Sequence, residues 1–424
     1  MLPLLAIPAI LLTLTAILGL INARTLKLPM TIGLVLFALL SALGVMFIDF
    51  LVPSWGIQPQ VTGLLDTIDF NKTLMQGMLS FLLFAGAMHV DLKSLWERRG
   101  IILSLATIGV LISTLLNGLG FWAFTSLLGF SIPFMVCLVF GSLISPTDPV
   151  AVLAVLKRQT VPPSLEAKIA GESLFNDGVA VVVFSILVTV AFGSSGYHGE
   201  GDHHSTVSFM SVLTLFGQEA IGGVILGLIA GYIAYWGIRA VDDYVLDVII
   251  TLALVTGAYS VALMLHLSGP IAMVIAGLMI GNKGDLPGIS ATSKEHLEHF
   301  WELLDEILNA VLFLLIGFEI LIIAWTGELA WLIILTIPLV ILVRYIAVGM
   351  PVQFISMFKE MTPGAGFVLT WAGLRGGISV ALALSLPEGE YRDMMLAVAY
   401  GVVVFSIITQ GLTVEAVMKR FVKA

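Results

Sequence analysis

The sequence predicts an all-α polytopic membrane protein with about thirteen transmembrane helices, built as an inverted repeat with two crossing broken helices. Three observations carry that prediction. Of the 424 residues, 59% are hydrophobic and only 11% charged, and the mean hydropathy is +1.07. A soluble domain carries about a quarter charged residues, and no globular core of this length hides so much apolar surface, so most of the chain is solvated by lipid. Apolar stretches of roughly 20 residues, the length that crosses a bilayer, recur from end to end. Finally, one stretch in each half is interrupted by Pro, Gly and charged residues at corresponding places.

Taken in order, spans are expected near 3–21, 28–49, 72–91, 100–128, 132–156, 166–193, 209–238, 244–266, 270–282, 296–323, 329–350, 364–386 and 392–416, the ninth being short. The first stretch lacks the basic leader and small-residue cleavage site of a signal peptide, and more spans follow it. Charge supplies an independent check. With the N-terminus outside, Arg24, Lys27, Lys93, Arg98, Arg99, Lys157, Arg158, Lys168, Arg239, Lys283, Lys294 and Lys359 fall on the inner side. Lys419, Arg420 and Lys423, after the last span, join them. The outer loops hold Lys72 and Arg392, with Asp66, Asp69, Glu200 and Asp202. The positive-inside rule thus orients the chain with its N-terminus outside and its C-terminus cytoplasmic. Spans 1–6 and 8–13 then run in opposite senses, span 7 links them, and the broken fifth and twelfth spans are symmetry mates. Broken segments at matching places in two halves point to a transporter's binding site.

Composition excludes several other classes. The formal charge of −9 comes with no basic stripe or recognition motif for nucleic acid. Cys137 stands alone, so neither a disulfide framework nor a cysteine metal site is available. His198, His203 and His204 lie in a polar outer loop that reads as solvated chain rather than a metal site.

The fifth span is broken by GSLISPTDPVAV, residues 141–152. Pro146 and Pro149 cannot sit there as ordinary helix, because each removes an amide donor and clashes with the preceding turn. Carbonyls freed at membrane depth survive only where protein or a watery cavity receives them. Thr147 and Asp148 lie in this break, where they can cap half-helix ends or face an ion. The twelfth span is broken by WAGLRGGISVALAL, residues 371–384, in which Gly373, Gly376 and Gly377 surround Arg375. A buried arginine must pair or face the bundle interior; the other reading has it snorkel to an interface. If the two breaks cross, Asp148 and Arg375 balance the opposed half-helix ends.

The sixth span opens with GESLFNDG, residues 171–178. Helical spacing puts Glu172 and Asn176 on one face and Ser173 and Asp177 on another. A carboxylate in a low-dielectric setting can hold either a proton or a small cation, and hard cations take oxygen ligands. Asp177, Ser173 and Thr147, with backbone carbonyls, supply such a set for Na⁺. A hydrogen-bonded structural knot is the plainer reading of the same residues. Arg344, in IPLVILVRYIAVGM, is a second cation without a loop to sit in. Glu172 is its most economical partner, with Glu319 as the alternative.

Two further patterns are packing or surface features. Gly223, Gly227 and Gly231 form a close-packing face on the seventh span. His296, Glu298, His299, Glu302, Asp305 and Glu306 enter the tenth span, as a solvated face by default or else as an acidic cytoplasmic funnel or pH-sensing surface.

The motifs SFLLFAGAMHVDLKSL, ISPTDPVAV, GESLFNDGVAVVVF, HLSGPIAMVIAGLMIGN and WAGLRGGISVALALSLP, in this order, resemble the monovalent cation/proton antiporters, in the branch of NhaP-type proteins and eukaryotic sodium/proton exchangers. The resemblance implies a core ion-transport domain (99–193 and 328–416) moving elevator-like against a dimerisation domain (1–98 and 244–323). It leaves 209–243 as a linker helix and 417–424 as a short cytoplasmic tail. It makes Asp177 the ion- and proton-binding aspartate, Asn176 its neighbour, and Thr147, Asp148 and Ser173 ion-site positions. Glu172 and Arg344 match a structural pair, and Arg375 the arginine of the broken twelfth span. A homodimer in the cell membrane is implied, with no cofactor besides the transported Na⁺ and H⁺, and Li⁺ or K⁺ as alternative ions. An Asn–Asp pair goes with electroneutral exchange. Ala85 stands where several relatives carry an acidic residue, and control by a long cytoplasmic regulatory segment is not expected. Against antiport stand two alternatives. A cation channel or uniporter needs an uninterrupted polar pore, whereas the ionisable groups cluster at one depth. An intramembrane hydrolase needs paired aspartates or a base beside a serine, and His89 and His266 lie near span ends.

Overall fold

The structure, a computed structural model, describes residues 6–65, 70–148, 152, 163–193, 209–282, 290–323, 325–356 and 365–421. Helices α1 (Ala6–Arg24) and α2 (Met30–Leu51) are the first two spans, and α3 (Ile57–Leu65) is a short helix outside them. The third span is α4 (Leu79–Met88), entered through a π-helical turn, Thr73–Met78. A six-residue helix, α5 (Leu92–Glu97), leads into the fourth span, α6 (Arg99–Leu127). The fifth begins as α7 (Phe134–Leu143) and the sixth is α8 (Pro163–Phe192). The second half contains α9 (Phe209–Ala240), α10 (Tyr244–Met264), α11 (Gly269–Gly281), α12 (Ala291–Phe318) and α13 (Gly327–Ser356). The twelfth span is split into α14 (Ala365–Ala372) and α15 (Gly377–Leu384), and the last is α16 (Glu390–Phe421). The all-helical, thirteen-span expectation is therefore met, eight helices among the described residues being individually long and apolar enough to cross a membrane.

Local chemistry explains where the helices start. Asp91, Asp243, Ser268 and Ser290 each accept backbone N–H groups at the openings of α5, α10, α11 and α12, satisfying donors that have no partner inside the helix. The boundary of the tenth span moves for this reason. Its helix begins at Ala291, where Ser290 caps it, rather than at residue 296 as expected from the sequence. Two short pieces, α3 and α5, carry too few apolar residues to register as spans. Among the described residues three π-helical turns interrupt the spans, at Thr73–Met78, Leu105–Gly109 and Ser406–Gln410. Such turns misalign backbone carbonyls and gather at functional places. Here Tyr259 of α10 takes up one of them, its hydroxyl donating to the Met75 carbonyl at 2.5 Å.

The helices pack in two groups. In one, α9, α10 and α4 surround α11, and α12 lies across α2 and α4. The glycine face of α9 makes the first contact close: a Cβ on Gly223 or Gly227 would come within 2.6 Å of the Ser268 carbonyl or 2.5 Å of the Ala272 carbonyl on α11. The Gly223–Gly227–Gly231 pattern is thus a packing surface, which lets backbones approach where lipid supplies no hydrophobic force between helices. In the other group α6 and α7 run side by side, α8 and α13 pack on them, and α14, α15 and α16 close the bundle. The two broken elements, α7 and α14–α15, both belong to this second group.

Candidate functional site

Beyond α7 the chain straightens through Ser145, Pro146 and Thr147, and the Asp148 amide donates to the Leu374 carbonyl at 2.8 Å. Leu374 lies between α14 and α15, so the two breaks meet as a single antiparallel bridge. Arg375, 2% exposed, is buried at this crossing. Its guanidinium Nη1 donates to the carbonyls of Ser145 and Pro146, just past the C-terminal end of α7. Its backbone N–H donates to Ser406 Oγ at 3.0 Å, and that hydroxyl donates to Gln410 Oε1 at 2.5 Å, across the π-turn of α16. The Asp148 carboxylate lies against Gly376, where a side chain would run into it, at the start of α15. A cation thus sits at a negative helix end and a carboxylate at a positive one, as the dipoles favour. Snorkelling of Arg375 to an interface is ruled out by its burial, and the charge it neutralises most directly is that of the freed carbonyls.

Between two and three turns into α8 the polar groups divide as their spacing predicts. Glu172 turns toward α13 and forms a two-pronged pair with Arg344: Nη1 to Oε1 and Nη2 to Oε2, both at 2.6 Å. Arg344 Nη2 also donates to the Leu369 carbonyl of α14 at 3.2 Å. Of the two partners considered for Arg344, Glu172 is the one it meets. Asn176 bridges the faces, its amide donating to Glu172 Oε1 at 3.4 Å and to Thr147 Oγ1 at 3.3 Å. The Thr147 and Ser173 hydroxyls are 3.0 Å apart. Asp177, 6% exposed, comes next along this face, and its Oδ1 has no hydrogen-bond partner.

A cavity of about 550 Å³ reaches this point. Thr147, Asp148 and Asp177 line its inner end, and Glu302, Asp305, Glu306 and Asn309 of α12 line its flank. His89, whose ring nitrogen is 2.7 Å from the Ala85 carbonyl, and Asp91 also border it. The acidic run entering the tenth span therefore faces a cavity as well as solvent; Glu295 and His299 remain outside, paired with each other at 3.8 Å and largely exposed. Thr147, Asp148, Ser173, Asn176 and Asp177 come together at the crossing, with Glu172, Arg344 and Arg375 immediately behind them. Pro149 and the loop histidines His198, His203 and His204 lie outside the described residues. Ser406 and Gln410, which cap the second break, were not singled out from sequence. Their four-residue spacing puts them on one face of the last span, but a serine and a glutamine at that spacing are no marker of a contact with a break elsewhere in the chain.

A model of the sodium/hydrogen exchanger transmembrane family matches residues 10–420, nearly the whole chain. The chain belongs to the sodium/hydrogen exchanger family. This exchanger is 43% identical over 417 residues to the Na⁺/H⁺ antiporter NhaP of Pseudomonas aeruginosa, covering 96% of this chain and 94% of the relative. It is 34% identical over 402 residues to the Na⁺/H⁺ antiporter NhaH of Halobacillus dabanensis, covering 94% and 93% of the two chains. Its fold is similar to that of the sodium proton antiporter MjNhaP1 from Methanocaldococcus jannaschii, with a TM-score of 0.70 over 97% of each chain at 19% identity. The exchanger is accordingly a multi-pass membrane protein of a transporter family.

Proposed function

We propose that this exchanger trades one Na⁺ for one H⁺ at Asp177 without moving net charge. The observation that carries the proposal is the unpartnered, buried Asp177 Oδ1 at the inner end of the cavity. A carboxylate oxygen left without a donor in a low-dielectric setting is unfavourable unless a proton or cation completes it. Thr147 and Ser173 supply neighbouring oxygens for a cation, and Asn176 holds Thr147 in place.

Charge supports the stoichiometry. Asp148, Glu172 and Asp177 set three carboxylates against the two guanidinium groups of Arg344 and Arg375, which leaves one negative charge for one monovalent ligand. Glu172 is committed to Arg344 and Asp148 to the helix end, so Asp177 carries the exchange. Moving a bare carboxylate across the hydrophobic barrier is unfavourable, so only the proton-loaded or cation-loaded core crosses, and the two ions are coupled by that exclusion.

The packing groups suit an elevator: residues 99–193 and 328–416 as the moving core, 1–98 and 244–323 as the scaffold, and 209–243 as the linker. Two copies associate through the scaffold in the cell membrane, with N-termini outside and C-termini inside. The test is a pH-sensitive dye trapped in proteoliposomes. Adding Na⁺ outside acid-loaded vesicles should relieve quenching with the wild type and not with Asp177→Asn; relief by the variant would remove Asp177 from the role. Adding K⁺ and Li⁺ in turn assigns the selectivity.

A further inference from the structure

The joint between the third and fourth spans carries a cluster that ion exchange does not use. Its first half is tied to the scaffold. The Leu92 amide donates to Asn282 Oδ1 at 2.5 Å, and the Asn282 amide donates to the Val90 carbonyl at 2.8 Å, clamping residues 90–92 to the end of α11. Asp91 is committed to capping α5, and the Ser94 hydroxyl and N–H hold its carboxyl below the usual carboxylate range. Leu95 is the buried anchor of the short helix, at 6% exposure.

The opposite face is open. Trp96 is 62% exposed, and the Arg99 guanidinium stacks 4.6 Å from the centre of its ring. Arg99 Nη1 donates to the Trp96 carbonyl at 2.9 Å, which fixes the plane of the fork and leaves its remaining edge turned outward. Arg98 and Lys93 flank it, and Arg98 lies within electrostatic range of Lys168 on α8. The local acid, Glu97, contacts Arg98 at only 3.4 Å and is largely exposed, so it offsets little of this charge. An exposed tryptophan, a pre-oriented arginine and two further basic groups at a span boundary match the place where acyl chain gives way to headgroup.

We propose that α5 and the opening of α6 form a docking site for an anionic phospholipid, whose phosphate is held by Arg99 and Arg98 and whose acyl chain lies along Trp96. The site spans the joint between the clamp at Asn282 and the start of α6. Bound lipid therefore tethers the point about which the core would turn, a consequence that rests on the elevator reading above, whereas binding does not.

The test measures binding without transport. The purified exchanger is titrated with dioleoylphosphatidylglycerol, dioleoylphosphatidylcholine or inorganic phosphate, and its melting temperature is followed. Phosphatidylglycerol should stabilise the wild type saturably, and the other two should not. Arg99→Gln should raise the half-saturating phosphatidylglycerol about fivefold, the effect of one interfacial basic group. Trp96→Ala should weaken it as well, Glu97→Gln should tighten it, and Lys419→Gln should leave it unchanged. Equal half-saturation for wild type and Arg99→Gln would overturn the proposal. Equal stabilisation by inorganic phosphate would replace it with a soluble-anion site. Loss of transport in any of these proteins bears on the exchange reading and not on this one.

Discussion

Arg344 and Glu172, 172 positions apart in the chain, meet in a two-pronged ion pair at 2.6 Å, with 8% and 2% of their side chains exposed. The pair fastens α8, which carries Asp177, to α13, and through the Leu369 carbonyl to α14. A buried pair of this kind adds little net stability over apolar residues, but breaking it from one side strands a charge.

Glu172→Ala should therefore lower stability by about 3–5 kcal/mol. Thermal unfolding in detergent measures this. Removing both partners, in Glu172→Ala with Arg344→Ala, should be less damaging than the single change. An unchanged melting temperature for Glu172→Ala would show that the pair is dispensable.

Ser406 accepts the Arg375 backbone N–H, a donor that the break in the twelfth span leaves without a helical partner. Ser406→Ala should cost about 1–3 kcal/mol, the penalty of an unsatisfied buried amide. It should also loosen the crossing, so that exchange slows at saturating Na⁺. Wild-type stability and rate together would mean that another group takes the amide.

Gly227→Val should force α9 off α11, because its Cβ would stand 2.5 Å from a carbonyl that belongs to rigid helix. Overpacking typically costs about 1–3 kcal/mol. Gly257→Val is the control, since nothing lies within 4 Å of its Cβ position. The difference in melting temperature between the two variants is the measurement.

The proposed competition of Na⁺ and H⁺ for Asp177 predicts the form of the pH dependence. Lowering the pH protonates the site and raises the Na⁺ concentration needed for half-maximal exchange, by at most about tenfold per pH unit, because one proton leaves per ion bound. Raising the pH removes the competitor, and the half-saturating concentration levels off. A steeper rise, toward about a hundredfold per unit, would mean that two protons are displaced.

Much of this was legible in the sequence because the membrane makes charge conspicuous. Arg344 and Arg375 have no loop to occupy, and a buried cation needs a partner, so Glu172 matches Arg344 on the sequence alone. The breaks at Pro146 and Gly373–Gly377 and the glycine face of α9 were equally visible, since proline and glycine act locally. What escaped depends on distance in the chain. The carbonyls of Ser145 and Pro146 that receive Arg375 have no residue-type signature. The clamp of Asn282 on residues 90–92 joins ordinary side chains to backbone. The π-turns at Thr73–Met78 and Ser406–Gln410 arise from packing, and no hydrophobic period announces them.

The central claim, one proton for one cation with no net charge, is tested most directly by a null-point measurement. Proteoliposomes are given a tenfold Na⁺ gradient and a series of opposing pH gradients, with the membrane potential clamped by valinomycin and K⁺ at either zero or about −100 mV. Net flux should vanish at a pH difference of about one unit at both potentials, because a neutral exchange feels no voltage. A null point that moves with the potential would show that a second charge travels, and Asp177 could no longer account for the exchange alone.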